Sequence, residues 1–317
     1  MTRENAIHPP STQAKSWAAS RAVLETALPP ARIFALLAMT GMVATKGWQD
    51  HLLLGFALAG VAACAWAPTL REKGAARWWF FYVTGIFVYT LFRSLADETS
   101  LAPRTLYPIR LDEALALGHN PTRGLQRLFF NVTAPGWLDR FAVGLHWSFF
   151  VLPHAWALGI FLFDRHRFPR FVVAMLLTWY AGLALFFLVP TVPPWLASQD
   201  GALPGVVRIM DFVGRDAAEG VYASIQATFG EPNSVAAMPS LHIAITWLLV
   251  LFAAHRRRWM GGLLAIYCAL MAAALLYLGE HYIVDMLAGA TLASLCYLAA
   301  IRFTSSGSGG DPAIDGR

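Results

Sequence analysis

The sequence predicts an all-α protein, a polytopic transmembrane helical bundle, and three observations carry that expectation. Hydrophobic residues make up 57% of the 317 and charged residues only 14%, against about 25% charged in soluble domains. The apolar residues gather in blocks of roughly 17–23, the length that crosses a bilayer as a helix. Lys and Arg fall in every second connector between blocks, which is how short loops orient a membrane protein. The net charge of +5 would also fit a nucleic-acid binder. Here the cations sit in short connectors where topology accounts for them, so no nucleic-acid partner is expected.

Along the chain, residues 1–30 are polar, rich in Pro, Ala and Ser, and lack the apolar core of a signal peptide; they read as a cytoplasmic tail. Eight spans follow, at 31–48, 52–70, 78–95, 141–163, 171–190, 239–255, 260–278 and 282–302. The first is shortened by Lys46 and Gly47. The basic connectors are the tail (Arg3, Lys15, Arg21, Arg32), 71–77, 164–170 and Arg256-Arg257-Arg258, while the alternate ones are mixed or acidic. This places both termini in the cytoplasm and the long loops 96–140 and 191–238 outside, in what we expect to be the cell membrane. The first long loop holds LDEALALG and TRGLQRLFFNV, with apolar residues at helical spacing beside charges, as interfacial helices have. The second is rich in Pro and Gly, with VVRIMDFV as a short helical piece. Residues 303–317 read as a flexible polar tail. Cys64, Cys268 and Cys296 lie in apolar blocks and read as small buried hydrophobes.

Orientation sorts the histidines. His8, His166 and His255 fall on the inner side, His154 lies in mid-span, and His51 and His119 are in outer connectors; each reads as a solvated or locally satisfied side chain. His242 begins the sixth span at its outer end, and His281 stands at the outer junction of the seventh and eighth. Two crossings return the chain to the same face, so both histidines lie at one depth. Asp285 is four residues beyond His281, on the same helical face. Its carboxylate can hold the imidazole Nδ1–H and leave Nε2 free as nucleophile or base. An aspartate in an apolar span costs about 2.5–3.5 kcal/mol on insertion scales and is functional by default. A structural His–Asp staple between helices is the competing explanation.

Pro239-Ser240-Leu241-His242 on one helix, with His281 and Asp285 on another, resembles the type 2 phosphatidic acid phosphatase (PAP2) superfamily, whose motifs include P-S-x-H and H-x-x-x-D. The likeness covers roughly residues 90–302. It implies a six-helix catalytic core from the last six spans (78–302), with 31–70 as two added spans. It also implies His281 as the nucleophile forming a phosphohistidine, Asp285 as its orienting partner and His242 as the proton donor to the leaving oxygen. Ser240 and the free amides of its helix N-terminus suit phosphate oxygens. Two departures stand out. The arginine that the family places six residues before the nucleophile is Leu275 here, and the family's K-x6-R-P motif is missing. "VPTVPPWLAS", Leu241 in place of the usual Gly, and "HYIVDMLAG" resemble the inositolphosphotransferase or inositol-phosphorylceramide synthase branch.

With those cations gone, other residues must neutralise the phosphate. Arg208 in "GVVRIMDF" and Arg93 at the end of the third span are the leading candidates, with Arg110, Arg215 and His146 behind them; Trp195 reads as an interfacial anchor. The expected function is cleavage of a lipid phosphoester on the outer face, as a headgroup phosphotransferase or a lipid phosphatase. Its partners would be a membrane lipid phosphate and an alcohol or lipid acceptor. No metal-ligand spacing is evident, and neither metal nor other cofactor is expected. A plain polyprenyl-pyrophosphate or phosphatidate phosphatase is the nearest alternative, and a catalytically dead member stays open because of the lost arginine. A transporter relaying protons through the His–Asp pair would need charge deeper in the spans and repeat symmetry, and the sequence shows neither.

Overall fold

A computed structural model describes residues 74–94, 101–217 and 235–306. The expected spans 31–48 and 52–70, the tail 1–30 and residues 307–317 lie outside the described residues. The chain divides after Phe80 into two units, and the second, Phe81–Arg317, holds His242 and His281. Its described residues are helical, from the latter part of α1 (Gly74–Ser94) to α11 (Ile283–Ser306), with two isolated parallel bridges and no strand. Among the described residues three helices are long and apolar enough to cross a membrane: α6 (Phe168–Leu188), α10 (Arg258–Leu278) and Ile283–Arg302 of α11. This is the integral-membrane helical bundle that the composition demands. The last helix runs on to Ser306, a few residues into what reads as tail.

The expected span 141–163 is corrected. It is two helices, α4 (Trp137–Ser148) and α5 (Leu152–Phe163), bent by 44° at a short break. Pro153, near the start of α5, has no N–H to give the Phe149 carbonyl, and its ring clashes with the turn before it. The amides of Phe149, Phe150 and Val151 instead bond three residues back, to His146, Trp147 and Ser148. Hydropathy runs unbroken across this break, which is why it read as one element. Ser148 Oγ, at the break, also lies 2.7 Å from the Tyr267 hydroxyl of α10.

The two interfacial segments of the first long loop are helical, α2 (Leu106–Leu115) and α3 (Pro121–Phe129). Asn120 caps α3 by accepting the Arg123 amide at 2.9 Å, and Pro121 occupies its first position, where no donor is missed. In the second long loop α7 (Pro194–Gln199) and α8 (Ile209–Ala217) form; the helical piece expected from Val206 starts three residues later. Thr191 ties the two loops together. Its amide donates to the Val235 carbonyl and its carbonyl accepts from Ala237, while on either side of it the Pro190 carbonyl accepts the Arg104 amide and the Val192 amide donates to the Arg104 carbonyl. The segment entering the PSLH turn is therefore laid along the PTVPP segment.

At the centre α9 (Leu241–Arg256) packs against α6, α10 and α11, and α4 packs on α10. Ser240 caps α9 by accepting the Ile243 amide at 3.4 Å. Two glycines set how closely the neighbours approach. A Cβ at Gly289 of α11 would overlap the Ser240 carbonyl oxygen, and a Cβ at Gly182 of α6 would sit 2.6 Å from Leu241 Cδ2. Leu241 is thus buried in a slot on α6, and its bulk is taken up by packing away from the backbone of α11. The Leu241 side chain therefore has a place of its own against Gly182.

Candidate active site

The junction of α10 and α11 carries His281. α10 ends at Gly279, whose φ of 81° lies in the left-handed region that glycine adopts without strain. The next residues, Glu280, His281 and Tyr282, form the link to α11. Asp285 Oδ2 accepts the Tyr282 amide at 2.9 Å and lies 3.5 Å from His281 Nδ1. On the other side of the ring, His281 Nε2 is 3.3 Å from Nδ1 of His242. The two histidines expected at one depth are therefore in direct contact. A His281 tautomer with Nδ1–H turned to Asp285 would leave the Nε2 lone pair to accept a proton from His242 Nδ1. The backbone joins the same two motifs: the Ser240 amide donates to the Asp285 carbonyl at 2.9 Å.

His146, one turn before the break in α4, brings a third imidazole, its centroid 4.7 Å from that of His242. Phe149 in the break lies at 4.4 Å from the same ring. The helix break thus covers His242 with an aromatic side chain that a continuous helix would aim elsewhere. His146 stood among the lining candidates; Phe149 carried no sequence signal beyond Pro153 four residues on.

Arg208 lies just ahead of α8, buried to 9% exposure. Its Nε donates to Glu280 Oε1 at 2.8 Å, an Nη lies 3.6 Å from Asp211, and the guanidinium sits 4.8 Å above the ring of Trp195. Trp195, read as a membrane anchor, also underlies this arginine, and its own amide donates to the Gly279 carbonyl at 3.1 Å. Gln126 of α3 fixes the arrangement. Its side-chain amide donates to the carbonyls of Val207 and Tyr277, and its oxygen accepts the Val207 amide, each at 2.9 Å. Arg208 is thereby held beside Glu280, the residue before His281. Leu275, at the family's arginine position, is fully buried in the core and presents nothing to phosphate.

The other expected residues are placed less centrally. Ser240 is fully buried and its hydroxyl oxygen serves as the cap of α9. Arg93 is half-buried near the end of α1, within electrostatic range of His146 and His242. Arg110 is exposed, and the side chain of Arg215 lies outside the described residues. His154 finds a partner in the Tyr82 hydroxyl at 2.9 Å. Cys268 and Cys296 are buried free thiols. Among the described residues no three His, Cys, Asp or Glu side chains are grouped to hold one metal ion.

Asp112 of α2 was missed. Fully buried, it accepts the amides of Ile283 and Val284, both at 3.0 Å, and so caps the helix that carries Asp285 from far away in sequence. An Asp beside a Glu in an amphipathic helix reads as solvated charge, so no sequence signal could have found it. Burial pushes its carboxyl up to about 6 from an ordinary 3.8, against the pull of those two amides. Between those values the native state holds a proton that the unfolded chain has released. The stability from this group is therefore present at low pH and is lost as pH rises through about 6. Thermal unfolding in detergent from about pH 4 to 7 should show that decline in the wild type, and Asp112→Asn should flatten it. An unchanged slope in the variant would show that Asp112 is not the group responsible.

Residues 109–299 match the family described as the PAP2 superfamily. A phosphoinositol dihydroceramide synthase from Bacteroides thetaiotaomicron is 30% identical over 148 residues, covering 43% of this chain and 46% of that protein. The chain thus spans a little under half the length of this curated relative. No solved structure matches.

Proposed function

Because the chain belongs to the PAP2 superfamily, we propose that it is a membrane enzyme that cleaves a lipid phosphoester through a phosphohistidine on His281 and passes the phosphoryl group to an alcohol. The observation that carries this reading is the contact of His242 Nδ1 with His281 Nε2 at 3.3 Å, with Asp285 behind the second ring. His281 Nε2 attacks phosphorus, the bond from phosphorus to the leaving oxygen breaks, and His242 gives that oxygen its proton. The acceptor hydroxyl then returns a proton to His242 as its oxygen attacks phosphorus and the P–N bond breaks. A phosphoryl group does not fit between nitrogens 3.3 Å apart, so His242 swings aside as substrate enters, within limits set by Phe149 and His146.

Arg208 is the cation proposed to take the place of the missing family arginine, with Arg93 as a second. To reach phosphate, Arg208 turns one edge of its guanidinium from Glu280 while Trp195 keeps the plane in place. Ser240 contributes by presenting the amides of the α9 N-terminus. A headgroup phosphotransferase is favoured over a phosphatase by the name of the Bacteroides relative and by the PPW and PSLH segments. Lipid alcohol is then the acceptor and water the competitor. The Lys and Arg distribution supports an active site on the outer face with both termini inside.

The test is to incubate purified protein with labelled phosphatidic acid, polyprenyl pyrophosphate and phosphatidylinositol, with and without a long-chain lipid alcohol. The expected product carries the label on the alcohol. Free phosphate or a free headgroup phosphate alone would convert the reading to a phosphatase, and no turnover of any of the three would overturn it.

A further inference from the structure

The opposite end of the bundle carries charges that the chemistry at His281 does not use. α9 runs 16 residues from the His242 turn to Arg256, about 24 Å, so Arg256 stands most of an apolar layer away from the histidines. Beside it, between α5, α9 and the start of α10, is a cavity of about 240 Å³. Trp156, Ile160, Phe163, Phe252 and Met260 make its apolar wall, and Asp164, Arg167 and Arg256 also line it.

The polar groups are arranged around one buried carboxylate. Asp164, 8% exposed, receives Arg256 Nη1 at 3.1 Å and Arg167 Nε at 3.6 Å, with His166 Nδ1 at 3.0 Å. Two guanidinium groups on one carboxylate leave a net positive charge over an otherwise apolar wall. Both arginines are partly exposed, so their remaining donors can reach a ligand. Trp156 adds a buried ring N–H that has no acceptor. Arg165, Arg170, Arg257 and Arg258 crowd the same connectors and raise the local potential. A ligand that satisfies all of this has an anionic oxygen-rich head and an apolar body, and the material beside a membrane helix at this depth is lipid.

We infer that this cavity binds one anionic glycerophospholipid of the leaflet opposite the active site. Its headgroup phosphate bridges Arg167 and Arg256, the Trp156 N–H is a third donor, and an acyl chain lies along Phe163 and Phe252. The site is independent of the reaction at His281. It gives the enzyme a contact with lipid charge on the side where its substrate is not processed.

The test uses the full-length protein in neutral detergent, titrated with dioleoyl phosphatidylglycerol or dioleoyl phosphatidylcholine, with bound lipid counted by native mass spectrometry. One phosphatidylglycerol is expected to bind saturably, and more tightly than phosphatidylcholine by on the order of fivefold per engaged arginine. Arg167→Gln with Arg256→Gln should abolish that preference. Because this pair leaves Asp164 with fewer partners, Trp156→Phe serves as the second variant. It keeps the ring, removes a donor that has no acceptor in the protein, and should weaken phosphatidylglycerol several-fold without lowering thermal stability. Equal binding of the two lipids by the wild type would overturn the inference, as would a preference that survives both variants. Glycerol 3-phosphate binding as tightly as phosphatidylglycerol would show a site for free phosphate, which also overturns it.

Discussion

His281→Ala is expected to lower turnover by about four orders of magnitude or more, the scale seen when a covalent nucleophile is removed. The ring lies between His242 and Asp285 and is nearly buried. Its loss removes the atom that bonds to phosphorus and leaves His242 without a partner. Rates alone would not separate a nucleophile from a residue that merely shapes the site. Rapid acid-free denaturation during turnover should therefore trap an alkali-stable, acid-labile phosphohistidine in the wild type and none in the variant. His242→Ala should still form that adduct from a donor with a good leaving group, because its proton matters for the leaving oxygen. If His281→Ala keeps turnover within about tenfold of the wild type, the assignment of the nucleophile is wrong.

Gly289→Ala is the second large effect, and it acts without touching either histidine. The added Cβ would overlap the Ser240 carbonyl oxygen and stand 3.2 Å from its carbon and 3.3 Å from the Ala244 amide nitrogen. All three are backbone atoms, so no side-chain rotation relieves the overlap and α9 has to move off α11. The amide bond from Ser240 to Asp285 and the contact between histidines then lengthen together. We expect a loss of about 2–4 kcal/mol in stability and about 100-fold in turnover, the scale of a roughly 1 Å misplacement. Thermal unfolding in detergent and initial rates measure both. Gly262→Ala is the control: a Cβ there meets nothing within 4 Å and should leave both unchanged or slightly improve stability. If both glycine variants behave alike, close helix approach is not what aligns the two motifs.

Parts of this site were legible because the bilayer reduces a three-dimensional problem to depth. Counting spans brought His242 and His281 to one face, and helical periodicity put Asp285 behind His281; the structure places them 3.3 Å and 3.5 Å apart. Arg208 was legible as a cation in the long loop that follows the PPW segment. Its partners were not. Glu280, Trp195 and Gln126 reach it through turns and loop contacts that no periodic pattern encodes. The contact of Trp195 with Arg208 was not legible either, because an aromatic at a span end reads as an anchor whatever else it touches.

The sequence by itself determined what local and periodic information can carry: helical class, the long apolar helices within 168–188, 258–278 and 283–302, and the pairing of His281 with Asp285. Only the tertiary structure decided where α4 breaks, that Leu241 rests on Gly182, that Gly289 admits the Ser240 backbone, and that Asp112 caps α11 from a distant loop. The physical reason is range. Hydrophobic blocks and i,i+4 spacing report on a helix and its solvent, each within a few turns of chain. Close packing and the satisfaction of buried amides depend on which distant atoms arrive, and that is fixed when the helices assemble.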